Sequence, residues 1–289
     1  MTYKRKELII IETKGADTKM SNFICPKCKT GFSKEVNSYK CANGHCFDIS
    51  RKGTVNLLLS QKSRHGDDKL MVNARRSFLD KGYYTPLLKS VQQAVLSCAK
   101  EGCNILDCGC GECWYTSNIR SFLEENGITA EIMGIDVSKE AVMAGASRDR
   151  SLKLAVASVY DIPVREKSCD IVISLFAPFS PDEYRKVLKD GGYFITAFPL
   201  EEHLWELKTA VYETPYKNQV SDMDISGFEL VKSEDVHSKI NLCTNEDIMS
   251  LFAMTPYYYK TSETDRKKLE GLDSLETTIE FRTAVYRKQ

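Results

Sequence analysis

The spacing of apolar residues divides the chain into stretches of unlike periodicity. Residues 1–20 show no core-forming pattern, and Met20 stands directly before SNFICPKC, so a disordered leader or a start at Met20 is expected there. Residues 21–60 read as a short unit bounded by turn residues, with NSYKC and CFDIS as strands behind a cysteine pair. Over 61–103, apolar residues recur every three or four positions in LMVNARRSFLDKG and TPLLKSVQQAVLSCAK. This spacing predicts a linker of two helices, with Gly82 at the stop of the first. From 104 to 289 strands alternate with helices. NILDCG, AEIMGIDVS, LKLAVAS and CDIVISLF read as strands, YTSNIRSFLEEN and KEAVMAGASRD as helices, and PDEYRKVLKDGG as a helix running into the strand YFITAF. The alternation predicts an α/β fold of βαβ units with a mostly parallel sheet. FELVKSEDVHS and TTIEFRTAVYRK, on either side of the helix NEDIMSLFAM, predict an antiparallel pair closing that sheet.

With 289 residues there is length for one large domain and a small one. Apolar residues make up 42% and charged residues 28%, and no apolar run approaches the roughly 18 residues of a membrane span. The run LIII near the start is shorter than the about 7–15 residues of a signal-peptide core. A cytoplasmic protein is expected, in which eleven cysteines serve as thiols and metal ligands rather than disulfides. The net charge is zero but unevenly placed: residues 21–70 carry nine Lys and Arg against four acids. Such a basic head on an acidic body would meet a polyanion with one end first, unless its lysines only solvate the surface.

The stretch ILDCGCGEC admits two readings. Cys108, Cys110 and Cys113 invite a metal, whereas Asp107-x-Gly109-x-Gly111 after an apolar strand forms a turn that a ligand can approach closely. Asp107 ends that strand, where its carboxylate can accept from an amine. Asp136, 29 residues on, ends the next strand and can accept from both hydroxyls of a ribose. Asp161 in ASVYDIPV follows the third strand, in place for an adenine amino group. No glycine completes the dinucleotide fingerprint G-x-G-x-x-G, so S-adenosylmethionine (AdoMet), which has no pyrophosphate, is expected rather than NAD. The loop cysteines then read as small fillers, and the 61–103 helices pack on the cofactor side.

A second cysteine set points to metal. Cys25-Pro26-Lys27-Cys28 is a tight C-x-x-C turn; Cys41 follows, and CANGHC adds His45 and Cys46. Two thiolates from each turn, or a thiolate and an imidazole from the second, satisfy a closed tetrahedral Zn²⁺ site. The spacing leaves His45 and Cys46 open as the fourth ligand. One structural zinc per chain is expected, because a unit this small lacks the core to fold unaided.

Taken together, CPKC…NSYKCANGHCFDISRKGTVNLL, ARRSFLDKGYYTPL, LDCGCGECWYT, GIDVSKEAV, FAPF, HLWELK and MTPYYYK resemble the RlmA-type ribosomal RNA guanine-N1 methyltransferases over residues 22–289. The resemblance implies a class I AdoMet-dependent methyltransferase, Rossmann-like with a seven-stranded sheet, behind an N-terminal zinc-ribbon-like module. It implies methylation of one guanine at N1 in a hairpin of 23S rRNA, by a homodimer whose zinc modules help form the RNA cleft. It also implies zinc ligands Cys25, Cys28, Cys41 and His45, and AdoMet contacts that include Tyr84, Gly111, Glu112 and His203. Where related loops read G-C-G-E-G, this chain has Cys113, which a positive φ would strain, though tolerance is expected because a small side chain at a helix start is often accommodated.

Further readings concern the acceptor. Phe176 and Phe179 of LFAPF, after the fourth strand, are candidate walls for a target base. Arg75 and Arg76 are candidate phosphate contacts or merely a solvated helix face, and Tyr257 to Tyr259 suggest base stacking or packing. Guanine N1 must lose a proton to become a nucleophile, and no residue in the sequence identifies the base. Two other classes stay in view: a methyltransferase of a small molecule such as a quinone or polyketide, and a zinc-ribbon RNA-binding protein with a vestigial methyltransferase fold.

Overall fold

The computed structural model describes residues 22–59, 66–220 and 223–289; the expected leader over 1–20 lies outside them, as do Lys62 and Arg64 of the basic head. The first elements among the described residues are three short strands, β1 (Phe32–Lys34), β2 (Ser38–Cys41) and β3 (Cys46–Asp48), paired antiparallel in that order. A two-residue strand, β4 (Val55–Asn56), then leaves this ribbon. Two helices follow, α1 (Lys69–Asp80) and α2 (Thr85–Cys98). The Asp68 side chain caps α1 by accepting from Met71 N, and Gly82, at φ +80°, turns the chain just past its end.

The alternating region gives β5 (Asn104–Cys108), α3 (Trp114–Glu125), β6 (Glu131–Asp136), α4 (Lys139–Arg148), β7 (Lys153–Val156), β8 (Cys169–Leu175), α5 (Pro181–Val187) and β9 (Leu188–Pro199). After these come α6 (Trp205–Val211), β10 (Phe228–Leu242), α7 (Asn245–Ala253), a 3-10 turn (Tyr258–Lys260), α8 (Glu263–Glu270) and β11 (Leu275–Lys288). The expected helix over PDEYRKVLKDGG is shorter than its pattern suggested. It stops at Val187 because buried Leu188 already pairs with Cys169 of β8.

The main sheet runs β10-β11-β9-β8-β5-β6-β7-β4. Pairs from β4 to β9 are parallel, and β9, β11 and β10 pair antiparallel, as the closing strands predicted. Strand order reverses on either side of β5, and such a switch point opens a crevice at the carboxyl ends of the strands. Among the described residues the sheet has eight strands rather than seven: β4 adds parallel to the edge of β7 and covers backbone groups that would otherwise stand open.

Period-two alternation sends neighbouring residues to opposite faces. Ile105, Ile171, Ile173 and Ile195 join the core beneath α1, α2, α3 and α7, while Leu106, Val172 and Phe194 join the other. That second core also contains Phe23, Cys25, Phe32, Cys41, Val55 and Leu57. The ribbon thus covers part of a sheet face that doubly wound folds usually cover with helices. Among the described residues no helix is long and apolar enough to cross a membrane.

Candidate functional site

A cavity of about 420 Å³ opens at the carboxyl ends of the central strands, where the order reverses. Its floor is the Gly109–Glu112 loop. Gly109 has φ +84°, and a Cβ there would stand 2.3 Å from Ala177 Cβ, so this turn admits only glycine beside the 176–178 loop. Gly111 has φ +55° and nothing within 4 Å of where a Cβ would point, which leaves its backbone open to a ligand.

Asp107 and Asp136 both line this cavity. Thr116 Oγ1 donates to Asp107 Oδ2 at 2.6 Å, yet full burial pushes the Asp107 carboxyl up to about 7. Asp136 accepts from Gly111 N at 3.0 Å and Ser138 N at 2.7 Å, while burial raises its pKa as well. Glu112 is held by Arg148, whose Nε and Nη2 both donate to Oε2 at 2.9 and 2.6 Å. The other oxygen, Oε1, has no partner among the described residues; neither has the buried hydroxyl of Tyr115, another wall residue. Only three buried side-chain atoms lack a partner among the described residues, and two belong to this cavity. Orphans of that kind are costly unless a ligand satisfies them.

The remaining expected cofactor residues divide. Tyr84 lines the cavity, and its hydroxyl lies 3.5 Å from His203 Nε2. His203 sits one layer behind, buried outside the lining, and burial with help from Lys208 lowers its pKa to about 3. Asp161 is not in the lining: its carboxylate is ion-paired with Lys29 of the ribbon, and Ser158, Val159 and Tyr160 form the wall instead.

Among the substrate candidates, Arg75 lines the cavity, with Nε and Nη2 donating to Asp67 Oδ2 at 3.1 and 2.7 Å. Arg76 is outside the lining and pairs with Asp80 at 3.6 Å. Phe176 stands at the mouth in a left-handed conformation, φ +59°, and is half exposed. Phe179, also half exposed, leaves the lining and packs on Tyr184 and Phe194. In the tyrosine run, Tyr257 donates to Asn218 Oδ1, Tyr258 packs on Phe252, and Tyr259 donates to Asp68 Oδ2 at the start of α1. Pattern reading missed Asp67, Tyr115 and Tyr160; only Tyr115, in the first turn of the helix after the loop, carried a local signal.

Among the described residues the three loop cysteines do not gather into a metal-ligand cluster, although the Cys110 and Cys113 thiols lie within hydrogen-bonding reach of each other. Cys108 enters the ribbon-side core, Cys110 packs where Gly134 lacks a side chain, and Cys113 packs against Gly145. Cys113 does adopt φ +64°, the strained conformation its replacement of glycine threatened.

Cys25, Cys28, Cys41 and His45 do converge, with their four ligand atoms within 4.8 Å of one another. Cys28 Sγ lies 3.6 Å from Cys41 Sγ, and His45 Nδ1 lies 3.5 and 3.4 Å from the Cys25 and Cys41 sulfurs. These are close to the edges of a tetrahedron around Zn²⁺ with Zn–S bonds of about 2.3 Å. His45 rather than Cys46 completes the set, since Cys46 opens β3 and is exposed. Thr30 Oγ1 hydrogen-bonds Cys28 Sγ and, with the Thr30 backbone, lowers its pKa to about 5, favouring the thiolate a metal needs. The donor set and spacing fit structural zinc.

With this geometry in view, residues 99–254 match the family model of a methyltransferase domain. The chain belongs to that family. Residues 23–65 match the model for the N-terminal zinc ribbon of RlmA. The 23S rRNA (guanine(748)-N(1))-methyltransferase of Streptomyces fradiae is 28% identical over 268 residues, covering 89% of this chain and 94% of that one. A Bacillus subtilis (strain 168) protein, YxjB, provisionally assigned as a 23S rRNA (guanine-N(1)-)-methyltransferase, is 26% identical over 270 residues, covering 90% and 95%. The malonyl-[acyl-carrier protein] O-methyltransferase of Hahella chejuensis is 32% identical, but over 133 residues, 42% of this chain and 46% of that one. The methyltransferase is AdoMet-dependent and its ribbon is a zinc module.

Proposed function

We propose that this methyltransferase transfers the methyl group of AdoMet to N1 of one guanine in a hairpin of 23S rRNA. The observation that carries the reading is the physical joining of the ribbon to the wall of the cavity. Ile24 N donates to Pro163 O, Arg165 N to Asn22 O, and Leu57 N to Val156 O, each at 2.9 Å, while Lys29 pairs with Asp161. The segment so gripped carries Ala157 to Tyr160 of the lining. Lys27, Lys34 and Arg51 of the ribbon are exposed and have no acidic partner among the described residues. A cationic module suits a polyanion, and here it stands next to the methyl-transfer cavity. The family resemblance and the two rRNA-modifying relatives support guanine as the acceptor.

AdoMet supplies an electrophilic methyl group on its sulfonium. The chain's own residues hold and orient: Asp136 for the ribose hydroxyls, Asp107 for the ammonium, and the unobstructed side of Gly111 beneath. Phe176 and Tyr160, half-exposed rings in the lining, flank the entrance at which an unstacked base would lie. Such a site works mainly by positioning the acceptor in line and excluding water. The resemblance also supports a homodimer acting in the cytoplasm, which sedimentation of the purified chain tests for oligomeric state.

Primer extension on 23S rRNA from cells with and without the gene tests the reading. A reverse-transcription stop at one guanine, present only with the gene, is expected. Identical profiles, together with methylation of a small acceptor by the purified chain, overturn it in favour of a small-molecule enzyme.

A further inference from the structure

The cavity is acidic with one exception. Asp67, Asp107, Glu112 and Asp136 line it, and Arg75 is the only Lys or Arg among its described wall residues. The guanidinium is anchored on one side, because Nε and one Nη2 hydrogen are spent on Asp67 Oδ2. Of its five N–H donors, three remain. Two phenols, Tyr84 and Tyr115, line the same cavity and feel its charge.

The direction of the Tyr84 hydrogen bond follows from the histidine behind it. Glu280 N donates to His203 Nδ1 at 3.3 Å, so Nδ1 is the bare nitrogen of a neutral ring. Its proton is therefore on Nε2, 3.5 Å from the Tyr84 oxygen, which accepts it. The hydrogen of the Tyr84 hydroxyl is left to donate elsewhere. The hydroxyl of Tyr115 is buried and has no partner among the described residues. Three groups able to donate thus line a cavity whose other charged side chains are all carboxylates.

We infer that Arg75, Tyr84 and Tyr115 form a carboxylate subsite that holds the amino-acid end of AdoMet, Arg75 being a cofactor-binding residue rather than an RNA-phosphate contact. This rests on the AdoMet reading of the cavity. The α-carboxylate is the only anionic group of that cofactor, and the cavity's own carboxylates cannot receive it without like-charge repulsion, which leaves the free donors of Arg75 and the two phenols. His203 acts through Tyr84 as a positioning residue, by fixing which way the hydroxyl donates.

The test is equilibrium binding, by calorimetry on the full chain, of AdoMet, decarboxylated AdoMet and 5′-methylthioadenosine. For Arg75→Met we expect about a 10- to 100-fold loss of AdoMet affinity, the range of a charge-assisted hydrogen bond. The two ligands without a carboxylate should bind variant and wild type alike. Tyr115→Phe removes only a hydroxyl with no described protein partner, so the fold is kept; it should show a smaller loss, again confined to AdoMet. Equal losses for all three ligands overturn the inference, as does unchanged AdoMet affinity with a raised KM for RNA. A wild-type chain that binds none of the three sinks the cofactor reading beneath it, an outcome distinct from either.

Discussion

Cys113 and Gly145 should be energetically coupled, because each occupies room the other leaves. Gly145 lies inside α4, and a Cβ on it would stand 2.5 Å from Cys113 Sγ, 3.2 Å from Cys113 Cβ and 3.3 Å from Leu154 Cδ1. On an unobstructed helix, Gly→Ala stabilises by about 1 kcal/mol. Here the new methyl must push a buried sulfur aside, an overpacking cost of about 1–3 kcal/mol. Gly145→Ala should therefore leave the protein about 1 kcal/mol less stable. Cys113→Gly relieves a left-handed side chain, worth about 1–2 kcal/mol, against the extra chain entropy of glycine at about 1 kcal/mol and the lost burial of a thiol. It should be nearly neutral. In the double variant the methyl meets no sulfur, the helix gain returns, and the coupling is about 2 kcal/mol. Urea midpoints of the four proteins, compared at equal slope, measure that coupling. Single effects that add to within about 0.5 kcal/mol would refute the packing argument.

Three further outcomes follow from the site. Stripping the metal with a chelator should weaken AdoMet binding even without RNA, because the ribbon holds both ends of the segment bearing Ala157 to Tyr160; equal affinity in zinc-loaded and metal-free chain would separate the two. Phe176→Ala should lower turnover more than AdoMet affinity, and parallel losses would argue against a base-facing role at the cavity mouth. The third concerns pH. The Asp107 carboxyl, raised to about 7 in the folded chain from an ordinary 3.8, takes up a proton on folding between those values. Its contribution to the stability of the ligand-free protein is thus full below about 4 and lost as pH rises through 7. Relative to wild type, Asp107→Asn should gain in melting temperature from pH 4 to 7 and then level off, with AdoMet binding impaired; melting curves that stay parallel across that range would contradict it.

Much of this architecture was legible because its determinants are local. Short continuous apolar runs define strands buried on both faces, and three- to four-residue spacing defines the helices that cover them. The Gly109 and Gly111 turn announced the loop beneath the cavity, since positive φ with Ala177 close against Gly109 leaves no room for a side chain there. The two cysteine turns announced the zinc ligands, since a closed tetrahedral site restricts its donors to a few spacings. Two short helices, α6 and α8, gave too weak a pattern to be read: each is under three turns and leans on neighbours rather than on its own periodicity.

Other assignments belonged to the tertiary structure alone. Asp161 reads as a third cofactor acid until folding brings Lys29 to it from 132 residues away. Arg75 and Arg76 are equivalent in sequence, yet the rotation of α1 turns the first into the cavity and the second toward Asp80. The choice of His45 over Cys46 waited on the course of the chain into β3, and the tolerance of Cys113 on a glycine one helix away. The ribbon, read as a separate unit, shares its core with the sheet. Residue type and spacing fix what the backbone does over a turn or a strand; which side chains meet across the fold depends on how those elements pack, and that is not encoded in any one stretch of the chain.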